Sequence, residues 1–270
     1  MIFCIICLEG RLFYDNWIHW RRQYGWRNHQ RPARRFPLPT GGSFREDCAK
    51  RLGVAAADTA EALIERADTV VLAVKPVVFP SLLPEISACL QEKKPLVISI
   101  AAGKTLGFIE ETLGFSPALV RVMPNINAKV GAAMSALCAN QQVTQAQKEL
   151  VARLFCAVGQ VKELDESFFP LFGVIAGSAP AFAYLFIDSL ARAAVKNGMQ
   201  KQAALEIAAQ TVLGSAKLIL ESGEHPWVLI DQVCSPGGTT IEGIAALQET
   251  GFETGIRKAV DAALEKDRKL

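Results

Sequence analysis

The feature that most constrains this chain is a series of short apolar segments that alternate with helical patterns. The apolar segments, rich in branched aliphatic side chains, are residues 69–74, 96–100 and 118–123. The helical patterns cover residues 58–66, 82–91 and 105–113. Such apolar runs are typical of parallel strands buried on both faces, and their alternation with helices predicts a doubly wound α/β domain. Its ligand should bind at the carboxyl ends of the strands.

The second half of the chain is predicted to be helical. The patterns cover residues 145–157, 180–197, 202–222, 240–248 and 252–270, with a short segment at 160–164 after the first. Ser178 is expected to cap the helix that begins near Pro180. We therefore predict an aberrant segment of residues 1–47, an α/β domain of residues 48–162 and a helical domain of residues 163–270.

An uncharged run at residues 167–187 is long enough to raise the alternative of a membrane span. Prolines and glycines interrupt it, and the predicted helix begins in its middle. A buried helix that forms oligomers is the preferred interpretation, and no membrane partner is predicted.

Charge and cysteine content exclude two further classes. The chain has 29 basic and 27 acidic side chains, but residues 1–45 hold eight Arg against two acidic residues; the remainder has 21 basic and 25 acidic residues, net −4. A mildly acidic body argues against a nucleic-acid partner. Seven scattered cysteines imply no disulfide framework, which favours a reducing compartment and hence the cytoplasm.

Residues 1–45 do not match the rest of the chain. They hold three of the four Trp and show no sustained apolar period. Four interpretations fit this segment poorly: a transit peptide, a signal peptide, a zinc pair at Cys4 and Cys7, and a basic nucleic-acid-binding arm.

A shifted reading frame explains this segment better. Trp has one codon, TGG, and reading one nucleotide later always gives glycine, so Trp17, Trp20 and Trp26 would each become Gly. With permitted codon choices, the stretch from Tyr14 to Gln30 then decodes as MTIGFIGGGNMGGAIIS. This string has the apolar strand, glycine-rich turn and helix start that open a dinucleotide-binding fold.

The remainder of the chain has few side chains suited to acid–base catalysis. His225 is its only histidine, so a histidine metal site or a catalytic triad is not expected, and no metal is predicted. A reactive thiol at Cys234 is a minor alternative to a packed cysteine. These absences favour chemistry in which a cofactor performs the difficult step.

The densest motif is the string SPGGTT at residues 235–240. In a purely structural interpretation it forms a turn followed by a helix, with a capping box between Thr239 and Glu242. Its functional interpretation is that free N–H groups at the helix start bind a carboxylate while a threonine hydroxyl donates to the substrate.

Taken together, several strings carry a resemblance to a known family. They are AVKP at 73–76, SIAAG at 99–103, RVMPN at 121–125, GSAPA at 177–181, GSAK at 214–217, GEHP at 223–226 and SPGGTT at 235–240. In this order and spacing the chain resembles the pyrroline-5-carboxylate reductases, which perform the last step of proline biosynthesis.

The resemblance implies a Rossmann-type N-terminal domain that binds NADPH or NADH, and an all-α C-terminal domain that dimerises. The implied reaction is the reduction of 1-pyrroline-5-carboxylate to L-proline by a homodimer or a higher homo-oligomer such as a decamer. The implied cofactor contacts are Ala73, Val74, Lys75, Pro76, Ile100, Ala101, Ala102 and Asn125. The implied substrate contacts are Glu166, Val233, Gly237, Gly238, Thr239 and Thr240, with the Thr240 hydroxyl near the imine nitrogen.

Two departures from the family pattern keep alternatives open. Asn125 is followed by Ile-Asn-Ala where Thr-Pro-Ala is commoner, and the glycine fingerprint is absent from the chain as given. A catalytically inactive chain that retains only a helical oligomerisation domain is therefore the main alternative. Another imine reductase or a β-hydroxyacid reductase using Lys196 or Lys217 is the third.

The frame hypothesis makes a prediction about the gene. Reading one nucleotide later from the codon of Tyr14, we expect an open frame that encodes a glycine-rich turn and rejoins the present frame between about residues 36 and 48. The nucleotide sequence checks this directly. A stop codon in the shifted frame before Phe36 would refute it.

Overall fold

The chain forms two compact units in the computed structural model, which describes residues 5–8 and 57–269. The first unit is Met1–Gly177 and the second is Ser178–Leu270. The predicted boundary at residue 162 lies N-terminal to this division, because residues 166–177 bond and pack within the first unit. Phe169, for example, belongs to a buried cluster with Ala136 and Cys138 of the sheet.

Among the described residues, six strands form one sheet in the order β1-β2-β3-β4-β5-β6. They are β1 (Ile5–Leu8), β2 (Thr69–Leu72), β3 (Leu96–Ser99), β4 (Leu119–Met123), β5 (Ala133–Ala139) and β6 (Gly159–Glu163). Strands β2, β3 and β4 are mutually parallel, as predicted. Strand β1 is antiparallel to β2, β5 is antiparallel to β4, and β6 is parallel to β5.

Helices of the first unit connect and cover these strands. They are α1 (Ala60–Glu65), α2 (Phe79–Lys93), α3 (Leu106–Leu113), α4 (Gln145–Cys156) and α5 (Phe169–Phe172). Short 3₁₀ helices occupy Pro76–Val78, Ile126–Val130 and Glu166–Phe168, and a π-helical turn, Gly173–Ser178, follows α5.

Two apolar clusters lie on opposite faces of the central strands. Val70 and Leu72 of β2 join the cluster formed with α1, α2 and α3, whereas Val71 joins the cluster formed with α4. Val97 and Ile98 of β3 alternate in the same way. Since successive side chains of a strand point to opposite faces, both faces of these strands are buried, which explains why they are apolar throughout.

The second unit consists of helices. They are α6 (Ala179–Lys196), α7 (Lys201–Ser222), α8 (Pro226–Val233), α9 (Thr239–Glu249) and α10 (Phe252–Asp267). Ser178 holds the N-cap position of α6, as predicted, but its side chain does not cap the helix. The Ser178 backbone is helical, because the π turn leads directly into α6.

Three elements were not assigned from the sequence. Residues 133–139 form β5 although small side chains weaken their strand pattern, and residues 160–164 were left unassigned although β6 ends at Glu163. Helix α8 occupies residues between the predicted helices 202–222 and 240–248. The predicted glycine-rich first strand lies outside the described residues.

Two helical stretches, Glu166–Lys196 and Lys201–Ser222, are long and apolar enough to cross a membrane by length and composition alone. This is weak support for a span, because a core or interface helix of a soluble protein has the same composition. Large apolar side chains such as Leu185, Leu213 and Leu220 are exposed on these helices in the single chain.

Gly159 allows β5 and β6 to approach at the start of their pairing. Its φ is +154°, and a Cβ there would lie 2.0 Å from the carbonyl oxygen of Ala133. We expect Gly159→Ala to lower the free energy of unfolding by about 2 kcal/mol or more, measured by urea denaturation. Gly107→Ala is the control, since open space surrounds that helical position. Its free energy of unfolding should rise by about 0.5 kcal/mol. Equal changes in the free energy of unfolding for Gly159→Ala and Gly107→Ala would contradict the steric role of Gly159.

Candidate active site

The carboxyl ends of β2, β3 and β4 meet at one edge of the sheet. Leu72 pairs with Ser99, and Ser99 pairs with Arg121, so the three strands end at nearly the same level. All the predicted cofactor residues follow these ends: Ala73, Val74, Lys75, Pro76, Ile100, Ala101, Ala102 and Asn125. The topology therefore places this predicted set at the edge where doubly wound folds bind their ligands.

The segment after β2 divides its residues between core and surface. Val74 is buried in the apolar core, whereas Lys75 is exposed at the start of the 3₁₀ helix Pro76–Val78. The Lys75 carbonyl accepts a hydrogen bond from the Val78 N–H at 2.9 Å. The Lys75 ammonium group is thus the part of this segment that can contact an anionic ligand.

The segment after β3 is small and partly open. Ala101 is buried, and its N–H donates to the Ser99 hydroxyl oxygen at 3.4 Å, while Ala102 and Gly103 are exposed. Gly103 has a φ of +71°, a conformation that favours glycine. The backbone here can therefore approach a flat ligand without interference from large side chains.

Glu166 joins three parts of the first unit. Its Oε1 accepts the Leu106 N–H at the start of α3 at 2.8 Å, and it lies 2.7 Å from Nη1 of Arg121 on β4. The Arg121 guanidinium also stacks on the Phe169 ring, at 4.5 Å from its centroid. One oxygen of Glu166, which was predicted to contact substrate, is thus already engaged by the protein.

Arg121 is buried, and its Nε atom has no hydrogen-bond partner within the described part of the chain. Burying a cation in this way costs free energy that the Glu166 carboxylate and the Phe169 ring offset. Sequence reasoning used Arg121 only as the first residue of the RVMPN string, whereas the signal for a buried cation is a lone arginine in an otherwise apolar strand.

Asn125 follows β4, and each end of its carboxamide makes one hydrogen bond. Its Nδ2 donates to the carbonyl of Ala176 at 2.9 Å, and its Oδ1 accepts the N–H of Met134 at 3.3 Å. The side chain predicted to line the cofactor thus links the end of β4 to the π turn and to β5.

The predicted substrate loop lies in the second unit, between α8 and α9. Val233 ends α8 and is exposed, and the Gly238 N–H donates to the Ser235 carbonyl at 3.0 Å to close a tight turn. Gly237 has a φ of +68°, and a Cβ on Gly238 would lie 2.3 Å from the Ser235 hydroxyl oxygen. The turn therefore favours glycine at position 237 through its backbone angle, and at position 238 a Cβ would have to displace the Ser235 hydroxyl.

The predicted capping box at this helix was wrong. Gly238 is the N-cap of α9, so Thr239 and Thr240 are its first two residues, and no side chain caps the helix. Because the Gly238 N–H is used within the turn, the amides left for an anion are those of the first turn of α9. Thr239 is exposed and Thr240 is half-buried.

Other reactive groups are accounted for locally. The Nδ1 of His225 accepts the Trp227 N–H at 3.3 Å and caps α8. Burial raises the pKa of the Cys138 thiol to about 12, which leaves it unreactive near neutral pH. Within residues 5–8 and 57–269, no group of three or more His, Cys, Asp or Glu side chains could hold a metal ion.

Comparison with known proteins decides the family. The profile described as pyrroline-5-carboxylate reductase dimerisation matches residues 166–270, and the profile described as NADP oxidoreductase coenzyme F420-dependent matches residues 41–103. The pyrroline-5-carboxylate reductase of Escherichia coli strain K12 is 42% identical over 221 residues, which cover 82% of this chain and 81% of the relative. The chain belongs to the pyrroline-5-carboxylate reductase family.

Relatives from other lineages agree. The pyrroline-5-carboxylate reductase of Arabidopsis thaliana is 38% identical, over 84% of this chain and 81% of the plant enzyme. The solved structure of a pyrroline-5-carboxylate reductase from Coxiella burnetii superimposes with a TM-score of 0.81 at 30% identity, over 96% of this chain and 95% of the other. The Plasmodium falciparum pyrroline carboxylate reductase, solved with NADP bound, gives a TM-score of 0.71 at 34% identity, over 80% and 82% of the two chains.

Membership of this family confirms the predicted fold class, a Rossmann-type domain followed by a helical dimerisation domain. It also supports homo-oligomerisation, and the dimerisation match covers the helices whose apolar side chains are exposed in the single chain. The individual site residues remain predictions.

Removing one partner of the Arg121–Glu166 pair should destabilise the fold strongly. We expect Arg121→Met to lower the free energy of unfolding by about 3 kcal/mol, because it leaves a mostly buried carboxylate without its cation. The control is Lys148→Met, which removes a cation from the more exposed pair with Glu163; its effect should stay below about 1 kcal/mol. Chemical denaturation measures the free energy of unfolding of both variants. Similar losses in the two would contradict the importance assigned to the Arg121–Glu166 pair.

Proposed function

We propose that this chain catalyses the reduction of 1-pyrroline-5-carboxylate to L-proline with NAD(P)H, the last step of proline biosynthesis. The observation that carries the proposal is the Ser235–Thr240 loop of a chain in this family. Its glycine turn presents the uncapped first turn of α9, which suits a small carboxylate, beside a threonine hydroxyl.

The reaction places modest demands on the protein. A protonated cyclic imine is already electrophilic at carbon, so a hydride adds to the C=N carbon and the bonding pair moves to nitrogen. The nitrogen keeps its proton and becomes the amine of proline. Orientation therefore matters more than a strong acid, in keeping with the scarcity of histidines.

Thr240 is the proposed residue at the imine nitrogen. It occupies the second position of α9 and is half-buried. Among the hydrogen bonds of the described residues, none engages its hydroxyl, which leaves that group available to the substrate. Val233, Gly237, Gly238 and Thr239 would shape the loop and its anion-binding amides, and Glu166 would add a substrate contact through its second carboxylate oxygen.

The strand-end residues fit the nicotinamide part of NADPH or NADH. Ala101, Ala102 and Gly103 leave the backbone open to a flat ring, and Ala73, Val74, Pro76, Ile100 and Asn125 border the same edge. The exposed Lys75 can attract the phosphates. The bound dinucleotide supplies the hydride, whereas the protein's part is to hold the ring against the imine carbon.

Several properties are proposed with this function. The chain would work in the cytoplasm as a homodimer or a larger homo-oligomer such as a decamer, without a nucleic-acid or membrane partner. A homo-oligomer would cover the exposed apolar side chains of α6 and α7. Restoration of the reading frame upstream of about residue 41, where the NADP oxidoreductase match begins, would supply the phosphate-binding turn.

Rescue of a proline auxotroph tests the proposed function. We expect rescue by the gene whose frame has been restored, and loss of rescue with the chain as given, because the glycine-rich turn is then missing. Rescue by neither gene would refute the function, and rescue by both would show that residues 1–47 need no correction.

Thr240→Val in the frame-restored enzyme should lower kcat about 100-fold, because it removes a donor near the developing amine. Thr250→Val is the control, since that hydroxyl only donates to carbonyls of its own helix. Steady-state rates with NADPH measure both. An unchanged kcat for Thr240→Val would contradict the assigned role.

A further inference from the structure

A single hydrogen bond joins the end of one sequence motif to the residue that precedes another. The string RVMPN ends at Asn125, and the string GSAPA begins one residue after Ala176. The Asn125 Nδ2 donates to the Ala176 carbonyl at 2.9 Å, across 51 residues of sequence. Neither motif by itself indicates this contact.

The Ala176 carbonyl cannot receive the usual α-helical donor. In an α-helix it would accept the N–H of the residue four positions later, which here is Pro180 and has no N–H. The surrounding residues, Gly173–Ser178, adopt a π-helical turn. Such turns are rare and occur frequently at functional sites.

The last residue of β4 also packs beside the same turn. A Cβ on Gly173 would lie 2.9 Å from the terminal methyl carbon of Met123, the last residue of β4. That methyl is the flexible end of its side chain, so the contact is one of packing. Met123 thus packs near the start of the turn, and Asn125 bonds to it near its end.

We propose that Asn125 is a positioning residue of this reductase, which fixes the π turn to the carboxyl end of β4 by supplying the donor that Pro180 withholds. The Met134 N–H to Oδ1 and the Nδ2 bond to Ala176 together fix the orientation of the carboxamide. The catalytic part of this inference rests on the proposed function, whereas the structural part does not.

Hydrogen exchange on the full chain tests the structural part. Asn125→Ala and Asn125→Asp should each raise the exchange rate of amides in peptides covering residues 169–182 about tenfold, because each removes the donor to a buried carbonyl. Asn127→Ala is the matched control, since no hydrogen bond of the described residues involves that side chain. Its exchange in the same peptides should stay unchanged.

A compensating variant separates this role from general loss of packing. Pro180→Ala introduces an N–H at the position from which an α-helix would serve Ala176. In the double variant Asn125→Ala, Pro180→Ala, protection should return to within about threefold of the parent chain. Unchanged exchange in Asn125→Ala, or no recovery in the double variant, would overturn the proposal.

Kinetics of the frame-restored enzyme test the catalytic part. A positioning residue predicts that Asn125→Ala lowers kcat about tenfold while KM for NADPH changes less than twofold, with recovery in the double variant. A raised KM for NADPH at unchanged kcat would instead make Asn125 a nucleotide ligand and overturn the proposal. Absence of any reductase activity in the parent enzyme would refute the proposed function and leave the exchange result to decide the role of Asn125.

Discussion

The carboxylate of Glu166 is the interaction on which much of the first unit depends. It connects the start of a long helical stretch to a buried arginine of β4 and to the first amide of α3. The strand ends therefore do not hold their loops alone. The loop after β3 is closed by Glu166, and the segment after β4 is linked by Asn125 to the turn that follows α5.

The parts of the fold that the sequence predicted are those with strong periodicity. Strands β2, β3 and β4 are apolar on both faces because helices cover both, and that pattern is visible in any single sequence. Strand β5 was missed because its alanine, serine and cysteine side chains carry little strand preference. Its position depends on pairing with β4, which is a long-range contact that local patterns cannot encode.

The candidate site shows the same division. The glycine turn at Ser235–Gly238 could be predicted because turn chemistry is local. Its use of the Gly238 amide, and the shift of the N-cap from Thr239 to Gly238, depend on backbone geometry that a motif does not fix. Arg121 and Asn125 were harder still, since the partners that explain them lie 45 and 51 residues away in the sequence.

The exposed apolar side chains of α6 and α7 have a consequence for how thermal stability depends on protein concentration. If self-association buries them, the folded state is favoured by mass action, and the thermal midpoint rises as the solution becomes more concentrated. Dilution would then lower the midpoint even though no bond within the chain has changed. The thermal stability of the fold would therefore be set by association between chains as well as by contacts within one chain.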